Sequence, residues 1–203
     1  MSILSLKARK KIWDISLTAI VAWSAMQLQF TILNNLAVHE VICNLPLTIV
    51  IVWGAVFGSN LPPITADELR LSSSKRIFLR QLASGSVSGA LVGALFGALY
   101  ASVLPVYPFY FPVIGWVSGY FCLRKLNKEN LLCIPLVLLL TGLAESMMAW
   151  QLCFAGRSDV FVTLASFVLP EALLNSIIAP FIYFPMRRWY DLSRAQAIPV
   201  EAT

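Results

Sequence analysis

Residues 82–104 read LASGSVSGALVGALFGALYASVL, twenty-three positions without a charged side chain. A helix rising ~1.5 Å per residue over that length crosses the ~30 Å hydrocarbon core of a bilayer. Glycines 85, 89, 93 and 97 recur every four residues, with Ala90, Ala94 and Ala98 alongside. On a helix this spacing makes a smooth groove in which a second backbone packs closely. Gly115 and Gly119 repeat the device further along. The six glycines therefore mark a helix-packing or partner interface. The sequence leaves open whether the packed helix is internal or belongs to another protein.

Five further apolar stretches flank this one, at about 13–33, 41–57, 109–123, 131–154 and 160–184. The whole chain is 59% hydrophobic and 12% charged, with a mean hydropathy of +0.78. A soluble domain carries about twice that share of charge. Six spans of ~20 residues fill most of a 203-residue chain and leave short loops. The predicted fold is an all-α membrane protein, a single domain (1–203) of six transmembrane helices.

The basic residues orient it. Lys7, Arg9, Lys10 and Lys11 precede the first stretch, and Arg70, Lys75, Arg76 and Arg80 lie between the second and third. Arg124, Lys125 and Lys128 separate the fourth and fifth, and Arg187, Arg188 and Arg194 follow the sixth. Only Arg157 of the 15 basic residues falls on the opposite side. Lys and Arg concentrate in cytoplasmic loops, so both termini are predicted in the cytoplasm. The first apolar stretch is long and lacks a small-residue cleavage site, which predicts a retained helix rather than a signal peptide. Trp189 and Tyr190, beside two arginines, read as anchors at the inner interface.

The long loop, 58–81, contains Thr65-Ala66-Asp67-Glu68, a helix-start pattern with a glutamate three residues after the capping threonine. Leu69, Leu71, Ile77, Phe78 and Leu82 then form an apolar side next to Arg70, Lys75, Arg76 and Arg80. Two readings stand: an amphipathic segment on anionic lipid or a partner, or cations that only set topology.

Glu145 and Glu171 lie near the middles of the fifth and sixth stretches. A charge at that depth costs ~3 kcal/mol on insertion scales, so such residues face the bundle interior. They form an intramembrane polar site with Asn175, Gln151 and Thr141. One reading is a proton or cation site; the other is a set of structural hydrogen bonds. Gln27, Gln29 and Asn34 are polar enough to need interior or partner contacts.

The remaining chemistry is sparse. Cys43, Cys122, Cys133 and Cys153 have no metal-ligand spacing and read as small buried hydrophobes. Cys43 and Cys153 fall near the same outer face, which leaves a disulfide between them open. His39 is the one histidine, and no phosphate-binding loop, metalloprotease motif or serine–histidine–acid set occurs. No catalytic residue, metal, cofactor or nucleic-acid partner is expected.

The order of motifs from 82 to 190 carries a resemblance. The glycine-rich helix is followed by a Pro-interrupted loop and by Gly115-Trp116-Val117-Ser118-Gly119-Tyr120, which ends in basic residues. Leu169-Pro170-Glu171-Ala172-Leu173-Leu174-Asn175 comes later, then Pro180 and the basic Arg187-Arg188. This resembles the bacterial rod shape-determining MreD family, although Tyr100-Ala101-Ser102 stands where many members carry an aspartate. The resemblance implies a non-enzymatic scaffold of the cell-elongation machinery in the inner membrane. Its implied partners are MreC, the actin-like MreB and RodA-type peptidoglycan synthases. The family's fold is similar to that of the substrate-binding subunits of energy-coupling-factor transporters. That similarity supplies an alternative expectation, a small-solute or vitamin-binding subunit, which requires a polar pocket open to the outer side.

Overall fold

The computed structural model describes residues 6–35, 41–58, 85–101, 106–121, 130–154, 156 and 160–195. The regular structure there is helical throughout, without a strand. Six α-helices coincide with the six apolar stretches. They are α1 (Leu6–Thr31), α2 (Leu45–Val56), α3 (Val87–Tyr100), α4 (Tyr107–Ser118), α5 (Cys133–Phe154) and α6 (Val160–Ala195). Loop 58–81 with Arg70, Lys75, Arg76 and Arg80 lies outside the described residues apart from Gly58.

The centre of the bundle is α2. Its twelve residues, LPLTIVIVWGAV, are all buried, as expected of a helix that is apolar on every face. At ~1.5 Å per residue it is only ~18 Å long, and α3, α4, α5 and α6 all pack around it. The two most extensive helix pairs are α3 with α4 and α5 with α6. All six helices contribute side chains to one core, from Ala22 and Ala25 on α1 to Tyr183 and Met186 on α6.

Three helical segments are long and apolar enough to cross a membrane: Ser16–Asn35, Cys133–Phe154 and Ser166–Leu192. α2 and α3 are equally apolar but shorter. Pro170, Pro180 and Pro185 lie inside α6, which removes three backbone donors from a single helix.

Aromatic packing closes the end of the bundle where α2 stops. Trp53 stacks on Phe57 at 4.5 Å, and Trp189 meets both edge-on at 5.3 and 5.7 Å. Tyr190 meets Phe57 edge-on at 5.4 Å. Trp189 and Tyr190, read from sequence as interfacial anchors, thus lock α6 to the C-terminal end of α2.

Candidate functional site

The glycine ridge lies in the α3–α4 seam. A Cβ added to Gly89 would strike the Gly115 carbonyl, and one on Gly93 would strike that of Phe111. At Gly97 it would lie 2.7 Å from the Tyr107 oxygen, and at Gly119 it would run into Ser86. Gly85 precedes the helix and is covered by the Trp116 ring. Glycines 85, 89, 93, 97, 115 and 119 therefore all serve one internal interface. Gly54 of α2 joins them at the same crossing, since its Cβ would hit Gly115 and Ser118. Backbones this close leave no room for a methyl group. The opposite face of α3, with Val87, Leu91, Leu95 and Leu99, is exposed.

Polar chemistry at this seam is local. The Ser86 hydroxyl accepts from the Gly89 amide at 2.9 Å and so caps α3. The Ser88 hydroxyl donates to the Phe57 carbonyl at 3.2 Å, which ties α3 to the end of α2.

The other polar centre is the N-terminus of α2. A helix start leaves amides without intrahelical acceptors, and burial makes each one costly. Here distant side chains accept from them. The Asn44 amide donates to Asn175 Oδ1 at 2.8 Å, and the Leu45 amide donates to Gln29 Oε1 at 2.9 Å. The Leu47 amide donates to Asn44 Oδ1 at 3.2 Å, and Pro46 has no amide hydrogen to satisfy. Gln29 Nε2 donates in turn to the Cys43 carbonyl and to Asn34 Oδ1, at 2.8 and 3.0 Å. Asn175 Oδ1 also accepts from the Cys43 thiol at 3.1 Å, and its Nδ2 donates to Thr141 at 3.4 Å. α1, α5 and α6 are thereby stitched to the start of the central helix.

Glu171 sits one turn before Asn175 on α6, and the side chains of Asn44 and Asn175 lie close to its carboxyl. Glu145, one turn after Thr141 on α5, is 5% exposed and lies within electrostatic reach of Glu171. Glu145, Glu171, Asn175 and Thr141 are thus brought together. Gln151 is not: it lies on the exposed face of α5, six residues and about 240° around the helix from Glu145. Gln27 is likewise exposed on α1, whereas Gln29 is buried. Cys43 is a buried free thiol and Cys153 a half-buried one, so the two form no disulfide.

A cavity of about 330 Å³ opens beside this network. Phe30, Tyr100, Tyr107 and Phe167 supply aromatic walls, and Gln29, Asn34, Asn44 and Glu171 supply the polar ones. Sequence reading missed it because the 41–44 segment and four separate helices build it jointly. The described residues hold no group of three or more His, Cys, Asp or Glu side chains able to bind a metal.

The fold and this site define, over the described residues, an all-helical protein with three helices long and apolar enough to cross a membrane and a small polar centre. No protein-family model, curated protein or solved structure matches the chain.

Proposed function

We propose that the chain is a multi-pass inner-membrane scaffold of the lateral-wall synthesis machinery, the role implied by its resemblance to MreD. All six helices cross the membrane in this reading, with both termini in the cytoplasm. The sorting of 14 of 15 basic residues to one side supports that topology.

One observation carries the assembly role: α1 is the least embedded of the membrane-crossing helices. Only 17% of its apolar stretch is buried, against 44% for α5. Small residues, Ala22 and Ala25, form its inner contact, while Trp23 and Ile20 stand exposed with the amide side chain of Gln27. Helices associate in lipid through close packing and interhelical hydrogen bonds, not through hydrophobicity. A loosely held helix that presents Trp and Gln outward supplies both to a neighbouring membrane protein. The glycine seam, being consumed internally, provides the rigid body that α1 rests on. Depletion in the native bacterium tests the role: rod-shaped cells are expected to widen and round up. Unchanged shape after complete depletion contradicts it.

The cavity favours a second reading, a small-solute-binding subunit of a transporter. It has the polar, aromatic-walled form that such a subunit needs. Purification together with an ATPase and a coupling membrane subunit would establish that reading in place of the first.

A further inference from the structure

We propose that the cavity beside the α2 N-terminus binds the ammonium group of a small organic cation. Glu171 lines the cavity, and no Lys, Arg or His is among the described residues that do. Glu145 adds a second acidic side chain close behind. Carboxylates withdrawn from water need a counter-charge or a proton, and the described lining supplies no cation.

The walls select the kind of cation. Phe30 and Tyr100 stack at 5.4 Å with 16° between their planes, and Tyr107 stands perpendicular to Tyr100 at 5.8 Å. Aromatic faces grouped around a carboxylate attract alkylammonium groups, for which both the charge and the apolar substituents find contacts. A bare divalent ion would find one carboxylate and few hard ligands. An anion would meet Glu171.

Tyr100 presents an aromatic side chain to the cavity, while its hydroxyl is buried within the bundle. The volume suits a group of ethanolamine or choline size, free or as the headgroup of a phospholipid. The site is compatible with scaffold and transporter alike, so its failure would leave the assembly reading standing.

The test uses the full-length protein in an uncharged maltoside detergent, followed by thermal unfolding. Choline chloride and ethanolamine are compared with equal NaCl and with 3,3-dimethylbutanol, the uncharged carbon analogue of choline. A saturable rise of about 5 °C with an ammonium compound, absent with the analogue, is expected. Glu171→Gln abolishes the rise. Phe167→Leu removes an aromatic wall at a position 46% exposed, so the fold is kept, and weakens binding about tenfold. Native mass spectrometry from phosphatidylethanolamine or phosphatidylglycerol nanodiscs separates the sources. Selective retention of phosphatidylethanolamine identifies a headgroup site, and displacement by free choline or ethanolamine identifies a solute site. The proposal is overturned if neither the free ammonium compounds nor phosphatidylethanolamine binds. An equal response to the uncharged analogue, or binding undiminished in both variants, overturns it as well.

Discussion

Gly89 and Gly115 exclude each other's side chains: a Cβ on either would strike the carbonyl oxygen of the other. The contact joins α3 to α4 beneath Gly54 of the central helix, so three backbones converge at one point. Dispersion and close approach replace the hydrophobic effect as the source of helix association in lipid. This crossing is therefore where the bundle is least tolerant of added volume.

Gly89→Ala is expected to lower the midpoint of thermal unfolding by several degrees, in line with the ~1–3 kcal/mol cost of overpacking a filled core. The Gly89→Leu, Gly93→Leu double variant should not assemble a stable bundle. Gly142→Ala is the control, since nothing lies within 4 Å of its added Cβ. It should leave the midpoint unchanged or raise it, through a gain in helix propensity of up to ~1 kcal/mol. Equal losses at positions 89 and 142 would show that the seam is not where stability resides.

Asn175→Leu removes the acceptor for the Asn44 amide and the Cys43 thiol. Leaving a buried donor unmet costs about 1–3 kcal/mol, so this variant should unfold at a clearly lower temperature. Asn175→Asp retains an acceptor oxygen but adds charge beside Glu171, which places it between the leucine variant and the wild type. Amide hydrogen exchange gives the specific readout, with protection falling at Asn44 and Leu45 before the rest of α2.

Tyr110 is buried to 1% exposure, and its hydroxyl has no hydrogen bond of good geometry. Removing an unsatisfied hydroxyl while keeping the ring relieves a desolvation penalty. Tyr110→Phe should match or exceed wild-type stability in the same thermal assay. A fall of more than about 3 °C, roughly 1 kcal/mol for a chain of this size, would mean that the hydroxyl is bonded.

The topology is open to direct labelling. In a chain whose native cysteines are replaced, Ser73→Cys should react with a membrane-impermeant thiol reagent only after the inner membrane is permeabilised. Ser158→Cys should react in intact spheroplasts. Reversal of the two patterns would invert the orientation inferred from the basic residues.

Much of this architecture was legible in the sequence because it depends on local periodicity. The four-residue spacing of the glycines placed them on one face, and the structure puts them in a single seam. Asn175 follows Glu171 by one turn and Glu145 follows Thr141 by one turn, so their grouping could also be read. Gln151 failed on the same geometry, because six residues carry it to the far side of α5. What could not be read depends on distant chain segments. Gln29 and Asn175 cap α2 from 16 and 131 residues away. Gly54 is followed four residues on by Gly58, but the pair stands at the end of an apolar run, apart in sequence from the ridge. The run itself gave no sign that α2 is enclosed by protein, because a helix apolar on every face suits lipid and protein interior equally.

Quantitative affinity purification from gently solubilised membranes of the native organism tests the assembly role most directly. The tagged wild-type chain should enrich MreC and RodA-type synthase partners, and a Trp23→Ala, Gln27→Leu variant of equal abundance should lose them. Recovery of an ATPase and coupling subunit instead, or an undiminished partner set with the variant, would contradict the role assigned to α1.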